Sequence, residues 1–242
     1  MRYALLSDIH SNLEAFQAVV KDLERETVDQ VCFLGDIIGY GADPDQCIDM
    51  LQGLGSCVVA GNHDWAAVEL TDTSYFNSAA KTAIEWTAKQ LSPHHRKFLK
   101  KLPLTHSFSR IQLVHATPSK PERWGYIYSL QEAIDGFNYC EQHICFVGHS
   151  HSPVNFAENK EGKVSQLPDS SFLLKDESRY IINVGSVGQP RDGDPRAAYG
   201  IYDSGDARYV LKRVVYTIED TQKKIIEAGL PPSLASRLSK GR

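Results

Sequence analysis

Two textures of apolar and polar positions divide the chain. Up to about residue 150, short unbroken apolar runs alternate with longer stretches at helical spacing. "RYALLS" has no polar interruption until its end and reads as a strand buried on both faces. "SNLEAFQAVVKDLERE" puts Leu13, Phe16, Val20 and Leu23 on one helical face. Ser11 and Glu14 stand three apart, as the halves of a capping box would. "QVCFLG" is a second strand and "DPDQCIDMLQGL" a second helix, with Asp43 as cap and Pro44 in its first turn. "CVVAG" gives a third strand. Helix then runs from about Tyr75 to Leu102, renewed at "SPHHRKFLKKL". "IQLVH" and "HICFVG" add two short strands, with a helix near "SLQEAIDGFNYC" between them.

After residue 152 the runs become short and β-rich: "VNFAEN", "KVSQLP", "SFLLK", "YIINVG", "AAYGIYD" and "ARYVLKRVVY", separated by Gly, Asp and Ser turns as in antiparallel hairpins. The last segment starts as a helix, breaks at Gly229-Leu230-Pro231-Pro232 and ends as a basic tail. No repeat or domain linker is visible. The pattern predicts one α/β domain over residues 1–242, with the C-terminal helix and tail at about 217–242. Its two sheets pack together with helices outside.

Composition removes some function classes. A net charge of −4 and a pI near 6.1 lack the broad basic field of a nucleic-acid-coating protein, so nucleic acid is not a favoured partner. No apolar run approaches a membrane span, and the N-terminus turns polar too soon for a leader. Five cysteines, an odd count without CxxC spacing, read as reduced thiols, which predicts a cytoplasmic location.

The polar residues that follow the apolar runs carry the chemistry. "LLS" leads into Asp8-Ile9-His10, "CFLG" into Asp36, "VVAG" into Asn62-His63-Asp64, "IQLV" into His115, and "CFVG" into His149-Ser150-His151. Each fragment alone has a bland explanation as a turn, a cap or a core histidine. All five falling at strand ends, where the ligands of α/β sheets bind, is a different matter. Carboxylate, amide and imidazole donors without thiolate suit a divalent transition metal, manganese or iron first, with zinc or nickel as compatible alternatives. Seven candidate ligands are too many for one open ion and suit two, with Asp36 as the natural bridge. Two ions about 3.5–4 Å apart would clamp a phosphoryl group and generate hydroxide for in-line attack.

In this order, "DIH", "GDIIGYG", "GNHD", "VHATP" and "GHSH" resemble the calcineurin-like metallophosphoesterases, most closely their small one-domain prokaryotic phosphodiesterases. "GSVGQPRDGDPRAAYGIYD" resembles that subgroup as well. The resemblance implies a four-layer α/β/β/α sandwich. It implies that Asp8, His10, Asp36 and His151 hold one metal, and Asp36, Asn62, His115 and His149 the other. His63 would stabilise the pentacovalent phosphorus or protonate the leaving alkoxide. The chain departs from the wider superfamily at Gly39, where many relatives carry an acidic residue or histidine that supports the catalytic histidine. Whether Asp64 substitutes is open in the sequence.

Arg191 is the candidate grip for a phosphate, although pairing with Asp192 or Asp194 would explain it equally well. Asn12 is a second substrate candidate, with support of the loop or helix start as the stronger reading. "HATPSKPERWGYIYS", with Trp124, Tyr126 and Tyr128, could form a wall or lid over the leaving group, or a plain aromatic cluster. The expectation is a phosphoesterase acting on a small phosphodiester. A phosphomonoesterase is the alternative, and a protein-binding scaffold like the retromer subunit of this fold is the remote one. The sequence leaves oligomeric state open.

Overall fold

The computed structural model of the chain describes residues 1–55 and 57–242. In β1 (Arg2–Leu6), Tyr3 and Leu5 belong to one buried cluster and Ala4 and Leu6 to another. Side chains alternate across a strand, so an unbroken apolar run is what two covered faces require.

β1 runs parallel to β2 (Gln30–Phe33), and β2 to β3 (Cys57–Val58). On its other edge β1 pairs antiparallel with β11 (Ala197–Asp203), followed by β12 (Arg208–Val214) and β9 (Ser171–Leu173). The second sheet has the order β4 (Thr105–Phe108), β5 (Ile111–Val114), β6 (Ile144–Val147), β10 (Arg179–Asn183), β7 (Asn155–Glu158) and β8 (Val164–Leu167), with β5, β6 and β10 parallel. Leu5, Leu34, Leu113, Phe146, Ile182 and Tyr209 fill the space between the sheets.

Helices close both outer faces. α1 (Leu13–Leu23) and α2 (Pro44–Gly53) lay Phe16, Val19, Ile48 and Leu51 against Ala4, Leu6 and Phe33 of the first sheet. α6 (Leu130–Phe137) lays Ala133 and Phe137 against Val114, Cys145 and Ile181 of the second. The architecture is the expected four-layer α/β/β/α sandwich. α3 (Asn62–Ala66) follows β3, and α4 (Ser78–Gln90) and α5 (Pro93–Leu99) occupy the long helical stretch.

Three local expectations change. The capping box on Ser11 and Glu14 does not form. Asn12 caps α1, its Oδ1 accepting from Ala15 N at 3.1 Å, while Glu14 pairs with Lys224. Asp43 occupies the N-cap of α2, but its carboxylate accepts from Lys224 rather than from the helix. The expected basic tail folds into α8 (Pro232–Leu238), whose Leu234, Ala235 and Leu238 pack with Ile225 of α7 (Ile218–Glu227) and Ala83 of α4. No helix among the described residues is long and apolar enough to cross a membrane, and all five cysteines are free.

Candidate metal centre

The five loops that follow β1, β2, β3, β5 and β6 meet at one end of the sandwich. Two sheets contribute, three loops from the first and two from the second. Asp8, His10, Asp36 and His151 place one ligand atom each within 4.8 Å of one another, and so do Asp36, His115 and His149. Asp36 is common to both groups. Its Oδ2 lies 3.6 Å from His10 Nε2 and 3.3 Å from His115 Nε2, the position of a bridging carboxylate. Asn62 joins the second group, with Oδ1 3.3 Å from His115 Nε2. His149 and His151 divide between the groups, with Ser150 between them.

The donor set fits a pair of cations. In each of the four cluster histidines the outer ring nitrogen faces a backbone carbonyl: His10 Nδ1 faces Ile38 O at 3.1 Å, His115 Nδ1 faces Leu34 O at 2.6 Å, His149 Nε2 faces Trp124 O at 3.0 Å, and His151 Nδ1 faces Gln189 O at 2.6 Å. A carbonyl only accepts, so each outer nitrogen donates and the neutral ring keeps its lone pair on the inner one. The inner nitrogens then crowd against acceptors. His10 Nε2 and His151 Nε2 are 3.0 Å apart, and His151 Nε2 is 3.2 Å from Asp8 Oδ1, which is buried without a hydrogen-bond donor among the described residues. Buried acceptors facing one another are unfavourable unless a cation lies among them.

Burial opposes ionisation of Asp36, yet the charge favoured on His115 outweighs it and holds the carboxyl well below the usual range. Burial pushes His10 and His151 down, and His149 down to about 3. Burial also works against a charge on His115, but Asp36 prevails and raises it to about 9, so a proton there competes with a metal for the same nitrogen.

The backbone is bent to serve the site. Asp8, His10, Asp36, His149 and His151 have φ of 54°, 52°, 52°, 64° and 58°, left-handed values that a residue with a side chain seldom takes. Gly61 gives the close approach this needs, since a Cβ there would collide with Asp36 Oδ1.

His63 is buried beside the cluster, its ring centroid 4.9 Å from His10, 4.5 Å from Tyr40 and 4.8 Å from Phe76. Burial holds it down to about 4. Among the described residues its Nδ1 has no partner, and Asp64 does not supply one. The Asp64 carboxylate instead accepts from Ile37 N, Ile38 N and Gly61 N, pinning the Asp36 loop to the start of α3.

A cavity of about 260 Å³ opens over the cluster, lined by Asp36, His63, His149, His151 and Arg191 among others. Asp192 pairs with Arg213 and Asp194 with Arg196, so the carboxylates that could have occupied Arg191 are engaged elsewhere. The guanidinium instead bonds Gln189 Oε1 at 2.8 Å and reaches Tyr40 Oη at 3.4 Å. Asn12 lies outside this cavity. Its Nδ2 donates to Gly188 O at 2.8 Å and its Oδ1 accepts from Ala15 N and Thr221 Oγ1, so the amide is spent on the scaffold. Trp124 is buried, tied to Thr71 Oγ1 at 3.0 Å, and Tyr126 stacks on His149, which makes this loop a wall of the cavity.

Sequence reasoning did not single out Tyr40, Tyr75, Phe76 or Gln189. An aromatic pair inside the polar run "DTSYFNS" was the available signal for two of them.

Comparison with known proteins agrees with this geometry. The profile of the Calcineurin-like phosphoesterase superfamily domain matches residues 1–206. An uncharacterized protein of Methanocaldococcus jannaschii is 40% identical over 243 aligned positions, covering 99% of this chain and 98% of its own. The crystal structure of a metallophosphoesterase from Sphaerobacter thermophilus superposes with a TM-score of 0.88 at 40% identity, over 100% of this chain and 99% of that one. A hypothetical protein from Pyrococcus horikoshii OT3 shares the fold, with a TM-score of 0.81 at 19% identity over 100% and 98% of the two chains.

Proposed function

The chain belongs to the calcineurin-like phosphoesterase superfamily, and from that premise we propose that it hydrolyses phosphodiester bonds with two divalent ions, manganese or iron best matching the donors. The observation that carries this reading is the pair of buried ligand groups joined through Asp36, with histidine lone pairs fixed inward. When bound, the ions would polarise the phosphoryl oxygens and activate water for in-line attack.

The remaining work falls to side chains. Asp8, His10, Asp36 and His151 would hold one ion, and Asp36, Asn62, His115 and His149 the other. Arg191, without a carboxylate partner among the described residues, neutralises a phosphate oxygen in the cavity. His63 keeps Nδ1 inside the protein, so Nε2 is the atom that donates to the leaving oxygen. Cavity space beyond the phosphate favours diesters, because it receives a second ester group.

The test is turnover of bis(p-nitrophenyl) phosphate and p-nitrophenyl phosphate by metal-stripped protein reloaded with manganese, iron, zinc or nickel. We expect the diester to have the higher kcat/KM. His63→Ala should keep its metal and lose about 10²–10⁴-fold in kcat, whereas Asp36→Ala should lose both ions. A higher kcat/KM for the monoester would make the protein a phosphomonoesterase. No turnover with any metal would leave only a scaffold.

A further inference from the structure

Away from the metal ligands the cavity changes character, and we propose that its outer half is a subsite for the nucleobase of a nucleotide ester. The inference rests on the phosphoesterase reading and names its substrate class. Tyr75, Phe76, Asn77, Arg123, Trp124 and Tyr126 line this half. Tyr75 is 55% exposed and Tyr126 45% exposed, large rings left at the mouth of a cavity that burial elsewhere would have hidden.

The two walls are built, not loose. Phe76 packs on His63, and Tyr75 meets Phe76 edge-on at 5.0 Å and 73°. Along the same cavity, His149 and Tyr126 continue into a stacked column with Tyr128, with centroids 4.2 Å and 5.2 Å apart and planes 19° and 15° from parallel. The Trp124 Nε1 bond to Thr71 Oγ1 ties the loop of the first wall to the loop of the second. A substrate group entering here therefore meets preformed ring surfaces, continuous on each side with His63 and His149.

The lining selects among ester groups. An acyl chain would find only Ala80 as an aliphatic contact. A sugar's hydroxyls would find no free carboxylate acceptor among the described lining residues, since Asp36 is already shared between the ligand groups. A base needs aromatic surface, an amide and a cation for its adjoining phosphate. Tyr75 supplies a face and Tyr126, stacked between His149 and Tyr128, an edge, while Arg123 supplies the cation and Asn77 an Nδ2 donor, its Oδ1 capping α4 through Ala80 N at 2.9 Å. About 260 Å³ accommodates a phosphate and one ring system rather than two nucleosides.

Calorimetric binding to the manganese-loaded protein tests the subsite with adenosine 5′-monophosphate and ribose 5-phosphate, which differ by the base alone. The nucleotide should bind at least about tenfold tighter, the contribution of one stacked base. Tyr75→Ala should remove most of that ratio by weakening the nucleotide, and Tyr75→Phe should keep it. Equal affinities in the unsubstituted protein, or a Tyr75→Ala change that weakens both ligands alike, overturn the proposal. Turnover of bis(p-nitrophenyl) phosphate by the same preparation reads the reaction separately. Turnover without nucleotide preference sinks the subsite alone, and nucleotide preference without turnover sinks the reaction alone.

Discussion

At the scale of single residues, the site rests on side chains that the sequence displays and on backbone groups that it does not. Asp8, His10, Asp36, His115, His149 and His151 were legible because carboxylates and imidazoles at the ends of apolar runs have few other reasons to be there. The carbonyls of Leu34, Ile38, Trp124 and Gln189 were not legible, since every residue carries one and only the fold says which points at a ring. Gly39 lies between these cases. Its departure from the superfamily pattern is visible in sequence, but the reason is spatial. The His63 ring packs where a side chain would stand: a Cβ on Gly39 would lie 2.6 Å from His63 Nδ1, at a φ of +92°. Gly39→Ala should therefore push the His63 ring aside. A displacement near 1 Å costs about 10²-fold in rate, so kcat should fall by that order while metal stoichiometry holds. Measured metal content and kcat together decide it, and unchanged kcat would separate Gly39 from His63.

At the scale of elements, strands buried on both faces were readable as unbroken runs and the hairpin strands β8 and β9 from the turns that flank them, whereas β4 was not. β4 is an edge strand of alternating half-buried and exposed residues, so "THSF" carries no apolar signature. α8 was hidden by Pro231-Pro232, a pair that reads as a stop, although Pro232 is the first helical residue. α5 carries two histidines away from the metal centre, and His95 serves the fold. Its Nδ1 is 2.7 Å from Asp45 Oδ1 and its Nε2 2.8 Å from Asp49 Oδ1, both on α2. A ring facing two carboxylates donates from both nitrogens and is a cation. Burial works against that charge, but the bonds to Asp45 and Asp49 outweigh it and raise the pKa above its ordinary 6.5. A raised folded-state pKa means the clamp stabilises fully below pH 6.5 and fades as pH climbs through the raised value. The Tm difference between the unsubstituted protein and His95→Gln should therefore be largest near pH 6 and shrink toward pH 9. A difference that stays constant over that range would show that His95 acts only by packing.

At the scale of the whole molecule, the chain's end returns to its beginning. Lys224 of α7 pairs with Glu14 at 2.5 Å and Asp43 at 2.9 Å, and Thr221 bonds Asn12, which holds the loop after His10. Gly193 N donates to Gly241 O at 2.9 Å, fastening the last residues to the turn that carries Arg191. Sequence separations of 181 and 209 residues, for Lys224 to Asp43 and Thr221 to Asn12, made such contacts unreadable in advance, although the helical texture near 217–242 was plain. A further contact of the C-terminal segment reaches the site. Arg237 of α8 places Nη1 3.2 Å from Gln189 Oε1, the oxygen that also accepts from Arg191 Nη2. Among the described residues neither guanidinium has a carboxylate partner, whereas Arg2, Arg110, Arg179, Arg196 and Arg213 each do. Two unneutralised cations on one amide oxygen make a positive field at the edge of the cavity, and the second comes from beyond residue 206, where the superfamily match ends. Arg237→Ala should leave metal content and kcat nearly intact and raise KM for an anionic ester roughly fivefold, the size of one partly exposed charge contact of about 1 kcal/mol. Because that field is electrostatic, Arg237→Lys should restore KM, and the gap between Arg237→Ala and the unsubstituted protein should narrow as salt is raised. A KM indifferent to both charge and salt would reduce α8 to a packing element.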